Sequence, residues 1–341
     1  MKIVNCDDSQ RAAWNAYVER SPRASLYHRF EWQDVNALSF GHRSAYLAAM
    51  ENDRIVGVFP IVRVKSQLFG NIACSLPFVN YGGPCGDSDA VEQALVQAAG
   101  PIADAWGVEY LEIRTRRQLD GLPTSEHKVS MTLDLNPDPE ILFKAFTSAH
   151  RQDIRGGYKK GLTVKIGGRE LLDDFYAVLS ESWRDMGTPI YSRGYLDRVA
   201  ATFPEYTRLC VVYAGAEPAA AAFDMLAGET AEGLWLGSRG KFRKQYAGYV
   251  LYWELIKNAC ERGLTRFHLG RSTVQSGGEV FKKKWNAYAV PLYWQYVLRT
   301  RRDIPQLNVT NPKYQLAIKA WQKLPVPVTQ FIGPMIARSI P

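Results

Sequence analysis

Apolar residues recur along this chain at every third or fourth position and at every second position, and the two rhythms alternate as in a mixed α/β protein. The helical rhythm predicts helices over 10–20 and 31–38. Strands are expected over 44–51 and 54–65, joined by the polar turn Glu51-Asn52-Asp53-Arg54. An irregular turn, Val79-Asn80-Tyr81-Gly82-Gly83-Pro84, comes before a helix over 90–106. Gly107 stops that helix, and a strand follows over 109–115.

The second half repeats this order. Strands over 207–214, 218–226 and 232–238 lead to a helix over 249–262, a stop at Gly263 and a strand over 266–270. The segments helix–Gly107–VEYLEIR and helix–Gly263–LTRFHLG share one grammar, and so do the hairpins NDRIVGVFPIV and GAEPAAAAFDML. Self-similarity at a period of around 160 residues predicts two duplicated domains and not a solenoid. The prolines of Asn136-Pro137-Asp138-Pro139 can continue neither a helix nor a strand. The expected domains are therefore 1–136 and 137–300, with a C-terminal arm over 301–341. Past the linker, a basic helix over 140–161 is expected to break at Gly156-Gly157. The apolar stretch 324–341 carries Pro325, Pro327, Gly333 and Pro334. It is too broken for an ideal amphipathic helix and predicts a packed extended arm or a short surface-associated segment.

Composition fits this picture. A chain of 341 residues suits two domains of about 150 residues each. Apolar residues at 46% and charged residues at 22% supply an ordinary globular core. No run approaches the roughly 18 apolar residues of a membrane span, and Asp7, Asp8 and Arg11 interrupt the start of the chain, so a cytoplasmic location is expected. The five cysteines form no CxxC pair and read as reduced core thiols; the five histidines show no metal spacing. Charge is uneven. Residues 281–341 hold ten Lys or Arg against one acid, Asp303, so the formal +8 of the chain resides at this end. That asymmetry points to an anionic partner: tRNA, a phosphorylated substrate or an acidic bilayer surface contacted peripherally; the alternative is a solvated basic tail.

The chain has no GxSxG elbow, P-loop or GxGxxG motif, which excludes the common hydrolase, kinase and dehydrogenase classes. Three clusters remain. In the turn containing Tyr81, Gly82 and Gly83, successive glycines let backbone N–H groups approach a ligand; a plain tight turn is the alternative. The loop Arg239–Gly248 carries Arg239, Lys241, Arg243, Lys244 and Gln245 just before a helix, whose N-terminus favours phosphate. Its Gln245-Tyr246-Ala247-Gly248-Tyr249-Val250 is a partial match to the [QR]xxGx[GA] pyrophosphate turn of GNAT acetyltransferases, with Val250 where Gly or Ala is expected. At the exit of a buried strand, His268, Arg271 and Ser272 precede Phe281-Lys282-Lys283-Lys284. Asp224 and Glu254 are candidate bases, or else salt-bridge partners of Arg239 or Arg271. Trp32, Trp183, Tyr191 and Tyr81 are candidates to line an acceptor cleft.

The succession WxxVxxxSFGHRxxYLAA, SLPFVNYGGP, DMGTPIY, LYWELIKNACERG, HLGRST and FKKKWNA resembles FemAB-like proteins, most nearly the branch found beside exosortase and exopolysaccharide gene sets. The resemblance implies an α/β fold of two tandem GNAT-like domains, each a mixed sheet flanked by helices. It implies transfer of an acyl or aminoacyl group to an amine of a cell-envelope precursor, which is small or lipid-linked. No tightly bound cofactor is implied; acyl-CoA or aminoacyl-tRNA would be the co-substrate. A Phe-Lys pair supplies the family's catalytic lysine, which makes Lys282 the stabiliser of the tetrahedral oxyanion. The chain has no room for the coiled-coil arm linked to tRNA in peptidoglycan-specific members, and it reads NYGGP where many of them read RGP. These departures shift the expected acceptor toward an amino sugar or amine of an exported polymer. The rival reading is a catalytically degenerate scaffold that binds lipid-linked intermediates and partner proteins.

Overall fold

The structure is a computed structural model that describes residues 1–66, 70–305 and 312–340. The first elements are β1 (Lys2–Asn5), α1 (Arg11–Arg20), α2 (Trp32–Phe40), β2 (Ser44–Glu51), β3 (Arg54–Ser66) and β4 (Gly70–Cys74). Then come β5 (Cys85–Gly86), α3 (Asp89–Ala105), β6 (Tyr110–Thr115) and β7 (Thr124–Asp134). They are followed by α4 (Pro139–Ala145), α5 (Ser148–Lys159), β8 (Leu162–Gly167), α6 (Leu172–Met186) and α7 (Arg193–Thr202). Next are β9 (Thr207–Ala214), β10 (Glu217–Ala227), β11 (Thr230–Ser238), α8 (Ala247–Glu261) and β12 (Arg266–Thr273). The chain closes with α9 (Gly277–Lys283), β13 (Tyr288–Leu298), α10 (Pro312–Gln322) and α11 (Val326–Ala337). Among the described residues, no helix is long and apolar enough to cross a membrane.

Two compact units emerge. The first comprises Met1–Lys128, Pro291–Gln306 and Arg338–Pro341; the second comprises Val129–Val290 and Leu307–Ala337. The break thus falls eight residues before the prolines at 137 and 139, and a late segment returns to the first unit. Strand pairing causes that return: β13 lies antiparallel to β6, with Trp294 opposite Arg114 and Tyr296 opposite Glu112.

In the first unit the strands run β1-β2-β3-β4-β6-β13. The hairpins are antiparallel, whereas β4 and β6 are parallel, with Ala73 opposite Leu111, and are joined through α3. Helix α3 lies tight on the sheet because β3 offers Gly57, where a Cβ would come within 2.5 Å of Val91. Leu95, Ala99, Phe59, Ile61, Leu111 and Ile113 form the core beneath it, and Trp14, Tyr17, Phe30 and Tyr46 fill a second core.

The second unit repeats the plan. Its order is β7-β12-β11-β10-β9-β8, with antiparallel pairs from β8 to β11 and the parallel pair β11/β12 joined through α8. One core packs Val250, Leu251, Ile256 and Phe267 against Phe146, Ile154 and Trp285.

Two expectations are corrected. The basic helix after the linker breaks at Phe146-Thr147, where the Thr147 hydroxyl accepts the His150 N–H at 3.3 Å and starts α5. Gly156-Gly157 lies inside α5, and a Cβ on Gly157 would strike Val250 of α8, so close helix packing explains the pair. The C-terminal arm is not extended: it folds as α10 and α11, with Pro334 inside α11. Residues 306–311 and 341 of that arm lie outside the described residues.

Candidate functional site

In the second unit, strands β11 and β12 hold parallel register over only three pairs: Thr230 with Arg266, Ala231 with Phe267, and Glu232 with His268. Against β10, Asp224 faces Gly233 and Phe223 faces Trp235, so Leu234 is one residue too many. A bulge bends the strand that bears it. β11 therefore leaves β12 here, while the two strands run on to Ser238 and Thr273. Gly270 adopts φ +85°, and a Cβ there would lie 3.1 Å from the Gly233 oxygen and 3.5 Å from Lys282 Nζ. Only glycine admits that conformation without strain.

Lys282 fills the space so created. It sits in the last turn of α9, whose N-terminus is capped by Ser276 accepting the Glu279 N–H. Its ammonium donates to the carbonyls of Gly270 (2.9 Å) and Arg271 (3.2 Å). The residue is 7% exposed. Burial, reinforced by the nearby Arg271 charge, pushes its pKa down to about 7. A lysine poised there exchanges protons at neutral pH, and its charged form offers N–H groups to developing negative charge.

The structure brings Lys282, Gly270, Arg271 and the β11/β12 fork together, but it places other candidates elsewhere. Asp224 is fully buried against Arg208 at 2.6 Å; burial raises its pKa against the pull of that arginine. Its carboxylate is committed to a structural ion pair and not placed as a base, which agrees with the salt-bridge alternative except that the partner is Arg208 and not Arg239 or Arg271. Glu254 accepts the Tyr158 hydroxyl. His268 is buried, with Nδ1 against the hydroxyls of Ser130 and Thr132 at 3.1 and 3.0 Å. It packs as a core histidine. Ser272 is buried, and its hydroxyl would lie 3.7 Å from a Cβ on Gly278. Trp183 and Tyr191 do meet, with ring centroids 5.6 Å apart, in an aromatic cluster that includes Tyr195 and Trp235. Trp32 is fully buried, with its indole N–H on the Leu26 carbonyl, and belongs to the core.

The candidate phosphate loop is only partly available. Arg239 is tied to Glu181 (2.7 Å) and Glu217 (2.9 Å) and is consumed structurally. Arg243 is exposed in the 3-10 turn Gly240–Gln245, and Gln245 is half-buried. Tyr246, at φ +63°, turns the chain into α8. Gly248 lies in the first turn of α8, where a Cβ would sit 3.9 Å from Ser238 Oγ at the end of β11.

The first unit holds a cleft of about 180 Å³ lined by Tyr81, Gly83, His28, Glu92, Arg116 and Arg117, among others. Gly82 lies against Leu76, where a Cβ would come within 2.8 Å. His28 Nδ1 must accept from the Ser25 N–H at 3.0 Å, so Nε2 carries the hydrogen and donates to the Gly83 oxygen at 2.9 Å. Burial, with the Arg116 charge, pushes the His28 pKa down to about 4, which keeps this clamp on the glycine turn neutral. The Arg116 guanidinium lies 4.7 Å from the Tyr81 ring centroid. Arg23 and Arg117 converge on the buried Glu92, and Arg114 is paired with Glu112 at 2.7 Å. The sequence candidates Tyr81 and Gly83 line this cleft beside arginines that the sequence reading did not single out. Their signal was present as Arg114-Thr115-Arg116-Arg117, three cations in four residues at the exit of a buried strand.

An antiparallel run, a crossover helix and a parallel strand define a GNAT-like α/β domain, and both units follow the plan; in the second unit the parallel strands fork apart. Residues 148–283 match the Acetyltransferase (GNAT) domain family. Among solved structures, the chain is similar to FemX, with TM-score 0.63 and 16% identity over 93% of this chain and 100% of that one. It is also similar to L-PGS from Bacillus licheniformis, with TM-score 0.57 and 15% identity over 94% and 98% of the two chains. A tandem GNAT protein from the clavulanic acid biosynthesis pathway aligns with TM-score 0.55 and 11% identity over 89% and 99%. No curated protein sequence matches the chain. The fold is thus a tandem pair of GNAT-like domains, the second of which carries the family match.

Proposed function

We propose that this chain is a FemAB-like N-acyltransferase that passes an acyl or aminoacyl group to an amine of a cell-envelope or exopolysaccharide precursor. The observation that carries the reading is Lys282: a buried ammonium at the fork of β11 and β12, with pKa near 7, inside the GNAT match. The likeness in fold to FemX and L-PGS supports acyl transfer as the reaction class.

In the proposed reaction the acceptor nitrogen attacks the acyl carbonyl carbon, and a C–N bond forms as the carbonyl electrons move to oxygen. Charged Lys282 stabilises that oxyanion. Collapse expels the donor's thiolate or alkoxide, which takes up the proton lost by the amine and leaves as a free thiol or hydroxyl. Two donors fit the chemistry, acyl-CoA and aminoacyl-tRNA. The exposed Arg243 and the first turn of α8 at Gly248 are the candidate holders of donor phosphate. In the first unit, the arginine-lined cleft beside Tyr81 and Gly83 is the candidate for an anionic group of the substrate.

The test is transfer from each donor to amine acceptors, read for wild type and Lys282→Ala. The expected loss in kcat is at least about 100-fold, the scale of removing one oxyanion donor. In wild type, kcat should fall as pH rises through about 7 and the ammonium is lost. Transfer by Lys282→Ala at the wild-type rate would refute the assignment. If wild-type protein transfers nothing from either donor, the scaffold reading takes its place.

A further inference from the structure

Helix α11 is built the opposite way round from an ordinary surface helix. The face packed against its own unit carries small residues at i, i+4 and i+8: Thr329, Gly333 and Ala337, all buried. A Cβ on Gly333 would come within 3.1 Å of the Ile190 backbone, so the close seat requires glycine. Gln330 fixes the helix by donating to Ser180 Oγ at 3.0 Å. Roughly opposite, at 3.6 residues per turn, stand Val328, Phe331 and Met335, which are 40%, 72% and 59% exposed. A water-facing helix normally turns such side chains inward. Helix α10 adds Leu316 at 71% exposed, and Lys319 and Lys323 are exposed on the same stretch of chain. Residues 304–341 contain four basic side chains and no acid.

We propose that this face docks on an anionic lipid bilayer, with α11 lying in the headgroup plane and Phe331, Met335 and Val328 entering the acyl boundary. A helix of 12 residues is about 18 Å long, too short to span a core of about 30 Å but sufficient to lie along its surface. The choice of occupant follows from charge. A bilayer of acidic lipids supplies the negative surface that this acid-free segment cannot supply to itself. A second copy docked through the same face would set lysines beside lysines across a two-fold axis. The inference rests on α11 and stands apart from the chemistry at Lys282.

The experiment is co-sedimentation of the full chain with phosphatidylcholine vesicles, with and without phosphatidylglycerol. Binding is expected to the phosphatidylglycerol vesicles and to weaken with added salt. The double variant Phe331→Ser/Met335→Ser should lose at least tenfold in partitioning, because each change removes a large exposed apolar side chain that the bilayer would bury. Lys319→Gln and Lys323→Gln should each cost about fivefold. These side chains are exposed, so thermal unfolding should not move. The proposal is overturned by failure to bind either vesicle, by equal binding to neutral and anionic vesicles, or by undiminished binding of the Phe331/Met335 variant. It is also overturned by a concentration-dependent dimer that this variant abolishes while vesicles leave the protein in solution.

Discussion

Two buried histidines set how the molecule meets acid. His150 is wedged between Phe146, Tyr249 and Trp285, its ring 4.2 Å from that of Trp285, and neither ring nitrogen has a hydrogen-bond partner among the described residues. Burial, with Lys284 acting in the same direction, pushes its pKa down to about 4. His28 reaches a similar value beneath the glycine turn of the first unit. A histidine whose folded pKa lies below its ordinary 6.5 binds fewer protons when folded than when unfolded. Its favourable contribution is therefore complete above pH 6.5 and is lost as pH falls toward 4. Urea unfolding should show a lower midpoint at pH 4.5 than at pH 7. His150→Phe should recover on the order of 1–3 kcal/mol of the difference. Equal pH dependence in wild type and variant would show that His150 does not titrate in this window. At this scale the sequence was read unevenly. Lys282 drew notice through the Phe-Lys pair of the family resemblance and the Gly-rich turn before it, whereas the ion-pair partner of Asp224 was not legible. That partner, Arg208, stands 16 residues away and meets it only once β9 and β10 pair.

Among elements, α5 and α8 meet in a close seam. Gly156 faces the Tyr246 ring, where a Cβ would lie 3.1 Å away, and Gly157 faces Val250. The seam accounts for Val250 in the place where the phosphate turn favours a small residue: its methyl groups fill the notch that Gly157 leaves. Gly157→Ala should cost about 1–3 kcal/mol through overpacking. In a double-mutant cycle with Val250→Ala, the two changes should partly compensate, so that the pair costs less than the sum of its members. Strict additivity, measured by chemical denaturation, would sink this account. Local patterning found β2 and β9 to the residue and the glycine stops at 107 and 263, because alternation and helix termination are encoded within a few residues. It misread Gly156-Gly157 as a break, because the reason for those glycines lies on another helix.

For the molecule as a whole, the decisive fact is that the first unit borrows its last strand from residues 291–306. Pairing of β13 with β6 has no local signature, since any apolar strand could close that edge, and the linear division at 136/137 missed it for that reason. The strand carries more than backbone bonds. Gln295 accepts from the Leu119 N–H and donates to the Leu119 oxygen, and Trp294 lies under the Arg114 guanidinium at 4.3 Å. A fragment ending at residue 128 should therefore unfold without a cooperative transition, because β6 is left as an open edge and Arg114 loses its aromatic cover. A sharp thermal transition like that of the full chain would contradict this. During synthesis the same arrangement imposes a delay. Leu119 and Gln295 are 176 residues apart, so at about 5–20 residues per second the edge of β6 waits roughly 10–35 s for its neighbour. The first unit is begun first yet completed only after most of the second unit has been made, and for that interval the nascent chain presents a sticky strand edge that a ribosome-associated chaperone would have to shield.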